Sequence, residues 1–529
     1  METVKDKPFD VLIVGAGPAG LMMACQLALH KIRFRIIDKR ISPPKYSGAL
    51  IIHARTMEIF QQMGLAEKVL KTGIIARVIN MRFNHQKNYT LDISSFGKTL
   101  TRFPYLLMAE QWQTELLLKQ FLNEHGHWVE EGFALSGFNQ QEDRIASEIT
   151  RPDGTVERMN SRYLIGADGK DSFVRNHLKI PFPGKTQDER LFITDCEARL
   201  PLSEREIFFS FASDSTSGFF PLRGGRWRVD GLVPVLQHQE VGFDQVGHFF
   251  SRKIHSGIAL YHPDWFSVFR SHSRCASTFR VKQCFLIGDA AHVHSPVGAQ
   301  GMNTGMQDAY NLAWKLAFYI RGKANEKLLD SYQSERRPVA INTIRYTDRA
   351  YSFMTRNTPA TKFLRLHLLP LCMPMILSWL NKKPSFRDSM FCSISGIGIS
   401  YKKSFLSSAR LEDDFPTHSP GPGERFPYLN YFKKGRRYSL HHGINSTHFH
   451  LIIFGRHILP QMFQSVIEKY KHVLSLKYID QEPDTQTIYN QLGLKDLGCY
   501  LIRPDMYIAW RCHDFNAEEL NDYLETVLK

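Results

Sequence analysis

Six residues near the start of this chain, Gly15-Ala16-Gly17-Pro18-Ala19-Gly20, constrain its fold more than any others. The strand-like run Asp10–Val14 (DVLIV) leads directly into them. An apolar helical pattern through Leu21, Ala24, Leu27 and Ala28 follows, and a second strand-like run, Arg33–Ile37, ends in Asp38. Strand, glycine turn, helix, strand and terminal acid specify a βαβ unit of a Rossmann-like α/β fold. The glycines permit the tight turn, the approach of a pyrophosphate and close helix packing, while the acid reaches ribose hydroxyls. Gly15, Gly17, Ala19, Gly20 and Asp38 are therefore candidates for holding an adenine dinucleotide. This unit alone leaves open which one.

A second stretch, Phe285–Leu316, begins with the strand-like Phe285-Leu286-Ile287 and breaks at Gly288. It ends as a helix whose Met302, Met306, Ala309, Ala313, Leu316 and Ile320 recur at spacings of four and three. Between them lie Asp289, Pro296, Gly298 and Gly301. A glycine turn at a helix start lets backbone approach a ligand, and the helix's free N–H groups favour negative charge there. A third, Tyr163–Arg175 (YLIGADGKDSFVR), delivers Asp168-Gly169 from a strand into a turn before another helix. Asp168 there has two compatible uses, ligand contact and helix capping.

The run GDAAH…P-x-G-x-Q-G-x-N at 288–303 resembles the second FAD-binding motif of the class A flavin-dependent aromatic hydroxylases, the p-hydroxybenzoate hydroxylase-like monooxygenases. So do H-A-R-T-x-E at His53–Glu58, G-A-D-G-x-x-S-x-V-R at 166–175, S-Y-x-x-E-R-R-P at 331–338 and the terminal LIRPDMYIAWR. The resemblance implies that Asp289 holds the ribityl chain of FAD. It places the loop Gly298–Asn303 against the pyrimidine edge of the flavin, with Gly301, Met302 and Asn303 as cofactor contacts and the N–H groups of Gly301 and Met302 stabilising negative charge. Pro296, Gly298 and Gly301 become flavin-facing loop candidates, Arg55 and Gln111 further cofactor contacts, and Asp168 a residue shared by FAD and NAD(P)H. The implied activity is hydroxylation of a phenolic or related aromatic substrate through a flavin C4a-hydroperoxide, with NADPH or NADH as transient reductant and O2 as co-substrate. The substrate-activating base is not marked by any motif. Other flavoenzymes on this fold, a dehydrogenase or an epoxidase, and a non-catalytic flavin-binding protein are the competing readings. No W-x-W pair of the flavin halogenases is present.

The same resemblance sets out the domains. A discontinuous Rossmann-like FAD-binding domain is expected over 1–181 and 276–400, including part of the substrate sheet. An interleaved antiparallel substrate-binding sheet is expected over 182–275, and a C-terminal thioredoxin-like α/β domain without C-x-x-C over 401–529. In the sheet region Trp227 and Val229 share one face of a strand, while Arg226, Arg228 and Asp230 share the other; the sequence leaves open which face meets a ligand. Arg223 and Arg226 are candidates for an anionic ligand or for the solvated surface, and Glu335 and Arg336 are expected to form ion pairs. Three departures from the family pattern stand out. Gly48 replaces the usual Arg or Lys near the cofactor phosphates, with Lys45 as a local substitute. Met506 replaces a turn glycine and predicts mild strain. Gly455-Arg456-His457 stand where a thioredoxin dithiol would follow Phe449–Phe454.

With 529 residues, 43% hydrophobic and 22% charged, the chain reads as an ordinary globular protein. The formal charge of +15 is compatible with steering of anions, and with no nucleic-acid motif present it does not indicate a nucleic-acid binder. The start METVKDKPFD has no apolar h-region, and the eight scattered cysteines form no C-x-x-C, so a cytoplasmic protein with reduced thiols and no metal site is expected. The apolar stretch Phe363–Leu380 is interrupted by Arg365, His367, Pro370 and Pro374, which favours a packed connecting segment over a membrane span of about 20 residues. A membrane-surface contact is the lesser alternative for it. The resemblance also allows a homodimer.

Overall fold

The computed structural model describes residues 9–42, 48–84, 87–200, 202–213, 216–233, 241–253, 258–356, 358–407, 415–433, 435–455 and 459–529. Lys45, Arg456 and His457 lie outside them.

The first sheet is built on three parallel neighbours of apolar sequence, Phe34–Asp38, Phe9–Val14 and Val156–Gly166, continued in parallel by Cys284–Leu286 on one side and Val129–Glu131 on the other. Antiparallel pairing adds Arg280–Val281 at one edge and the hairpin Ala134–Gln140/Ile145–Thr150 beside Val156–Gly166. The helix Pro18–Leu29 is buried from Gly20 to Ala28 because it lies between this sheet and the helix Gly301–Ile320, which explains its nearly uniform apolarity. Close approach of the two helices depends on small residues. A Cβ on Gly305 would lie 3.1 Å from Gly288 Cα and 3.4 Å from Ala19 Cβ. Ala19 thus serves this packing.

The second sheet runs in the order His292–Val293, Ala259–Cys275, Gly184–Arg199, Arg226–Leu232, Thr216–Pro221, Glu206–Phe211, Val78–Phe83, Lys87–Asp92. It reaches outside 182–275 at both edges, and Glu206–Phe211 pairs in parallel with Val78–Phe83, so the sheet is mixed rather than wholly antiparallel. One face carries Phe192, Cys196, Phe219, Trp227 and Val229, sealed by the helix Phe243–Lys253 through Val246 and Phe250. The alternation of side chains then turns Arg226, Arg228 and Asp230 to the opposite face.

The C-terminal sheet, Leu474–Ile479, Phe449–Phe454, Gly498–Ile502, Ile508–Cys512, has one parallel and two antiparallel pairings with helices packed on it. Cys499 and Cys512 face each other across its last pair, with sulfurs in hydrogen-bond contact at 3.2 Å. The domain is joined to the rest by a buried ionic cluster. Glu335 accepts hydrogen bonds from Lys315 Nζ (2.6 Å), Arg503 Nη1 (2.6 Å), Asn311 Nδ2 (2.7 Å) and Ser404 Oγ (2.7 Å), and Arg503 also pairs with Asp505. Burial opposes its ionisation, but Arg503 and Lys315 outweigh that and hold the Glu335 carboxyl far below the usual range. Met506 has φ +66°, the left-handed conformation its turn demands, and its buried sulfur receives Arg55 Nη1 at 3.5 Å.

Candidate active site

The glycine turn ends the strand Phe9–Val14 beside the strand end of Val156–Gly166. Gly15 (φ +102°) and Gly20 are closed in: a Cβ would lie 2.4 Å from Ala167 O at the first and 1.9 Å from Gly15 O at the second. Gly17 is different. A Cβ there meets nothing within 4 Å, and it caps the helix Pro18–Leu29 with no side-chain acceptor for the first-turn N–H groups. Asp38 sits at the end of the neighbouring strand, with Oδ2 accepting Ala16 N (2.7 Å) and both oxygens engaged by Arg40. Burial pushes its pKa up, and the bonds from Arg40 and Ala16 more than reverse this.

Across the cradle, Asp289 stands in a short 3₁₀ turn, exposed between buried Gly288 and Ala290. It is accessible yet surrounded by protein, and this partial desolvation, with Asp308 nearby, raises its pKa. The turn is held from behind, where Asp308 accepts Gly288 N (3.1 Å), His292 Nε2 (2.7 Å) and Arg336 Nε (2.7 Å). The expected ion pairing of Arg336 is this contact. Asp168 lies between the two motifs. Its Oδ2 accepts Val174 N (3.1 Å), capping the short helix Phe173–His177, while its buried Oδ1 has no protein partner. Burial raises its pKa.

The loop Pro296–Gln300 closes with Ala299 N donating to Pro296 O (3.0 Å), with Gly298 and Ala299 both at positive φ. His53 Nε2 donates to Gly298 O (3.0 Å), and burial lowers that imidazole's pKa to about 4. Asn303 is saturated by protein: Oδ1 accepts His53 N and Thr56 Oγ1, and Nδ2 donates to Ile51 O and Ala299 O. It therefore offers only backbone to a ligand. Gly301 and Met302 open the helix Gly301–Ile320 without an intrahelical acceptor for their N–H groups. The one side chain near a Cβ on Gly301 would be His294, 3.8 Å away, whose Nε2 is a buried atom without a partner. Burial lowers its pKa to about 4.

Gln111 accepts Ala49 N (3.1 Å) and lies 3.6 Å from a Cβ built on Gly48, so that the departure at Gly48 leaves a small gap beside an amide. Arg55 stands apart from this group. Fully buried, it donates to Asp505 O (2.6 Å) and Glu58 Oε2 (3.1 Å) and lies over the rings of Tyr310 and Tyr507. Its Nη atoms join Glu58 to the backbone of Asp505 in the C-terminal part of the chain. Arg223 donates to Lys71 O, and Arg226 pairs with Asp264 at the sheet surface.

The face of the second sheet that bears Asp230 lies over the Pro296–Gln300 loop. Phe209, Phe220 and Ile207 pack with Ala299, Ile51 and Met108, while Leu191 and Leu232 pack with Val297 and Tyr351. Asp230, paired in register with Ile193 and Gly218, falls between these two apolar groups. Its pKa is raised to about 6 by burial, which Arg228 only partly offsets because Arg228 is bound bidentately to Asp195. The sequence places Asp230 on a strand face but carries no signal for its isolation. Only the sheet register and the helix Phe243–Lys253 on the opposite side reveal it.

These residues fit FAD. Gly17 leaves a space that a Cβ would enter, Asp168 Oδ1 lacks a partner, and free helix N–H groups lie at Gly17 and at Gly301–Met302. Among the described residues no cluster of His, Cys, Asp and Glu is arranged for a metal.

Residues 8–347 match the family model described as "FAD binding domain", and residues 419–529 the one described as "Aromatic-ring hydroxylase, C-terminal". The chain is 35% identical to 6-methylpretetramide 4-monooxygenase of Streptomyces rimosus, over 75% of this chain and 71% of that protein. It is 31% identical to pentachlorophenol 4-monooxygenase of Sphingobium chlorophenolicum, over 79% and 75%. The structure of OxyS anhydrotetracycline hydroxylase from Streptomyces rimosus superposes with a TM-score of 0.77 at 28% identity, covering 98% of this chain and 99% of that one.

Proposed function

This chain belongs to the FAD-dependent aromatic-ring monooxygenases, and we propose that it hydroxylates a phenolic or related polycyclic aromatic compound, with NAD(P)H as reductant and O2 as oxygen donor. The observation that carries this reading is the aromatic-rich face of Ile207, Phe209, Phe220 and Leu232 lying over the Pro296–Gln300 loop, with the carboxylate of Asp230 between its two apolar groups, beside the Arg228–Asp195 ion pair. FAD supplies the redox chemistry and the activation of oxygen. The chain's residues bind it, orient the substrate and exclude water.

In this reading the Gly15–Gly20 turn receives the pyrophosphate and Asp38 the adenosine ribose. Asp289 takes a ribityl hydroxyl, and the N–H groups of Gly301 and Met302 face the negative charge of the reduced ring. Asp168 Oδ1 is available to either nucleotide. Asp230 takes the phenolic proton at its carboxylate oxygen, a role suited by an acid raised to about 6. We place the enzyme in the cytoplasm, where its cysteines remain reduced. NAD(P)H oxidation across a panel of phenols and polycyclic aromatics tests the proposal. The expected result is slow oxidation alone, acceleration by the right aromatic, and a product heavier by one oxygen. FAD-loaded protein that turns over no member of a broad panel opposes it.

A further inference from the structure

We propose that the segment Pro359–Lys382 seats this protein on an anionic lipid surface, lying in the interface rather than crossing it. Among the described residues this is the one helical run long and apolar enough to span a membrane. One side of it is fixed to the protein. Arg365 is buried and donates to the carbonyls of Phe353, Met354 and Arg356, Leu366 and Met373 pack on Phe83 and Phe211, and Tyr89 donates to Pro370 O at 2.6 Å. A segment so anchored cannot leave the globule to span a bilayer.

The opposite side is bare. Leu364, Leu368, Leu371, Met375 and Trp379 recur at helical spacing, and the last three are 70%, 65% and 51% exposed. Five large apolar side chains in one exposed stripe exceed the scattered exposure normal for a soluble surface. The charge pattern selects the partner. Every charged or titratable nitrogen side chain from 359 to 383 is basic (Lys362, Arg365, His367, Lys382 and Lys383), and the run contains no Asp or Glu. Lys383 lies 4.6 Å over the Trp379 ring, joining a cation to an aromatic as at a headgroup boundary. Apolar stripe, basic ends, a boundary tryptophan and a net charge of +15 match an anionic bilayer surface. A second copy of this chain would bring bases against bases, with no acid in the stripe to pair them.

The buried side of the same helix, through Leu366 and Met373, packs with Phe209 and Phe211 at one end of the aromatic-rich sheet face. Docking would therefore bring lipid within one helix diameter of that face. This consequence rests on the reading of the face as the substrate site, whereas binding to lipid does not.

The test is co-sedimentation of the full-length, FAD-loaded protein with vesicles of phosphatidylcholine alone and of phosphatidylcholine mixed with phosphatidylglycerol. We expect at least roughly tenfold stronger partitioning onto the anionic vesicles, reduced by salt. Leu371→Glu/Met375→Glu should lower partitioning by about tenfold or more at unchanged FAD content and thermal midpoint, and Lys382→Ala/Lys383→Ala should reduce the anionic preference by roughly tenfold. Partitioning that is absent, equal on both vesicles, or unaffected by the Leu371/Met375 pair would overturn the proposal. So would a concentration-dependent dimer that this pair abolishes without any vesicle binding, which would assign the stripe to a second copy.

Discussion

Gly17→Ala separates a ligand-facing glycine from the structural ones of the same turn. Gly17 has φ −74° and ψ −178°, a backbone any residue adopts, and its Cβ would enter open space. The substitution should leave apoprotein stability within about 1 kcal/mol, toward greater stability because alanine restricts the unfolded chain. Gly15→Ala must accept φ +102° with a Cβ 2.4 Å from Ala167 O, and Gly20→Ala a Cβ 1.9 Å from Gly15 O. Each should cost about 2–4 kcal/mol from strain and overpacking. Against bound FAD the order reverses. A methyl placed where the pyrophosphate must approach should cost about 1–3 kcal/mol of overpacking, or roughly 5- to 150-fold in Kd. Urea unfolding of the apoproteins and titration with FAD, followed by quenching of flavin fluorescence, measure the two effects separately. Gly17→Ala with wild-type FAD affinity, or destabilised as much as Gly15→Ala, would refute this division of roles.

Asp289→Ala should purify with little flavin and an undiminished apoprotein thermal midpoint, since the folded environment already disfavours its charge; normal flavin content by absorbance would count against the ribityl contact. Asp230 is raised from 3.8 to about 6, so the folded state holds its proton more tightly than the unfolded state, and the resulting stability is present below pH 3.8 and lost as pH rises through about 6. Asp230→Asn should flatten that segment of the stability profile. It should also remove the limb of kcat/KM near pH 6 and lower kcat by roughly 100-fold on a phenol; a retained limb would assign the base elsewhere. Glu335→Gln leaves Lys315 and Arg503 as buried cations short of an anion and should cost about 3–5 kcal/mol, whereas an unchanged urea midpoint would show that Asp505 alone suffices.

The parts of the fold that rest on local pattern were legible from the residues. The βαβ unit and the strand–turn–helix of Phe285–Leu316 each combine a hydrophobic period with glycine or proline punctuation, and each is found within a few residues of its expected bounds, as is the strand Phe449–Phe454. What needed the structure is long-range. Arg55 lies in a family motif with Glu58 one helical turn away, but its bond to the backbone of Asp505, 450 residues on, is one no local pattern reveals. Asn303 was marked by its motif, but that its side chain is fully engaged by Ile51, His53, Thr56 and Ala299 depends on distant segments. The cleft-facing side of Arg226–Asp230 was undetermined because both faces carry plausible ligand residues, and only the covering helix Phe243–Lys253 distinguishes them. Pro370 and Pro374 suggested an interrupted connection at 363–380. Helix persists because Leu364–Leu368 widens to a π turn, Pro370 falls at the first turn of Leu369–Lys382, and Pro374 lies on its exposed side.

The central claim, oxygen insertion into an aromatic ring by an FAD-dependent enzyme, is tested most directly by turnover under isotopically labelled O2 with an aromatic that accelerates NAD(P)H oxidation. Mass spectrometry of the product should show one labelled oxygen per molecule from O2 and none from labelled water. A product labelled from water, or turnover that continues without O2 on another electron acceptor, would contradict it.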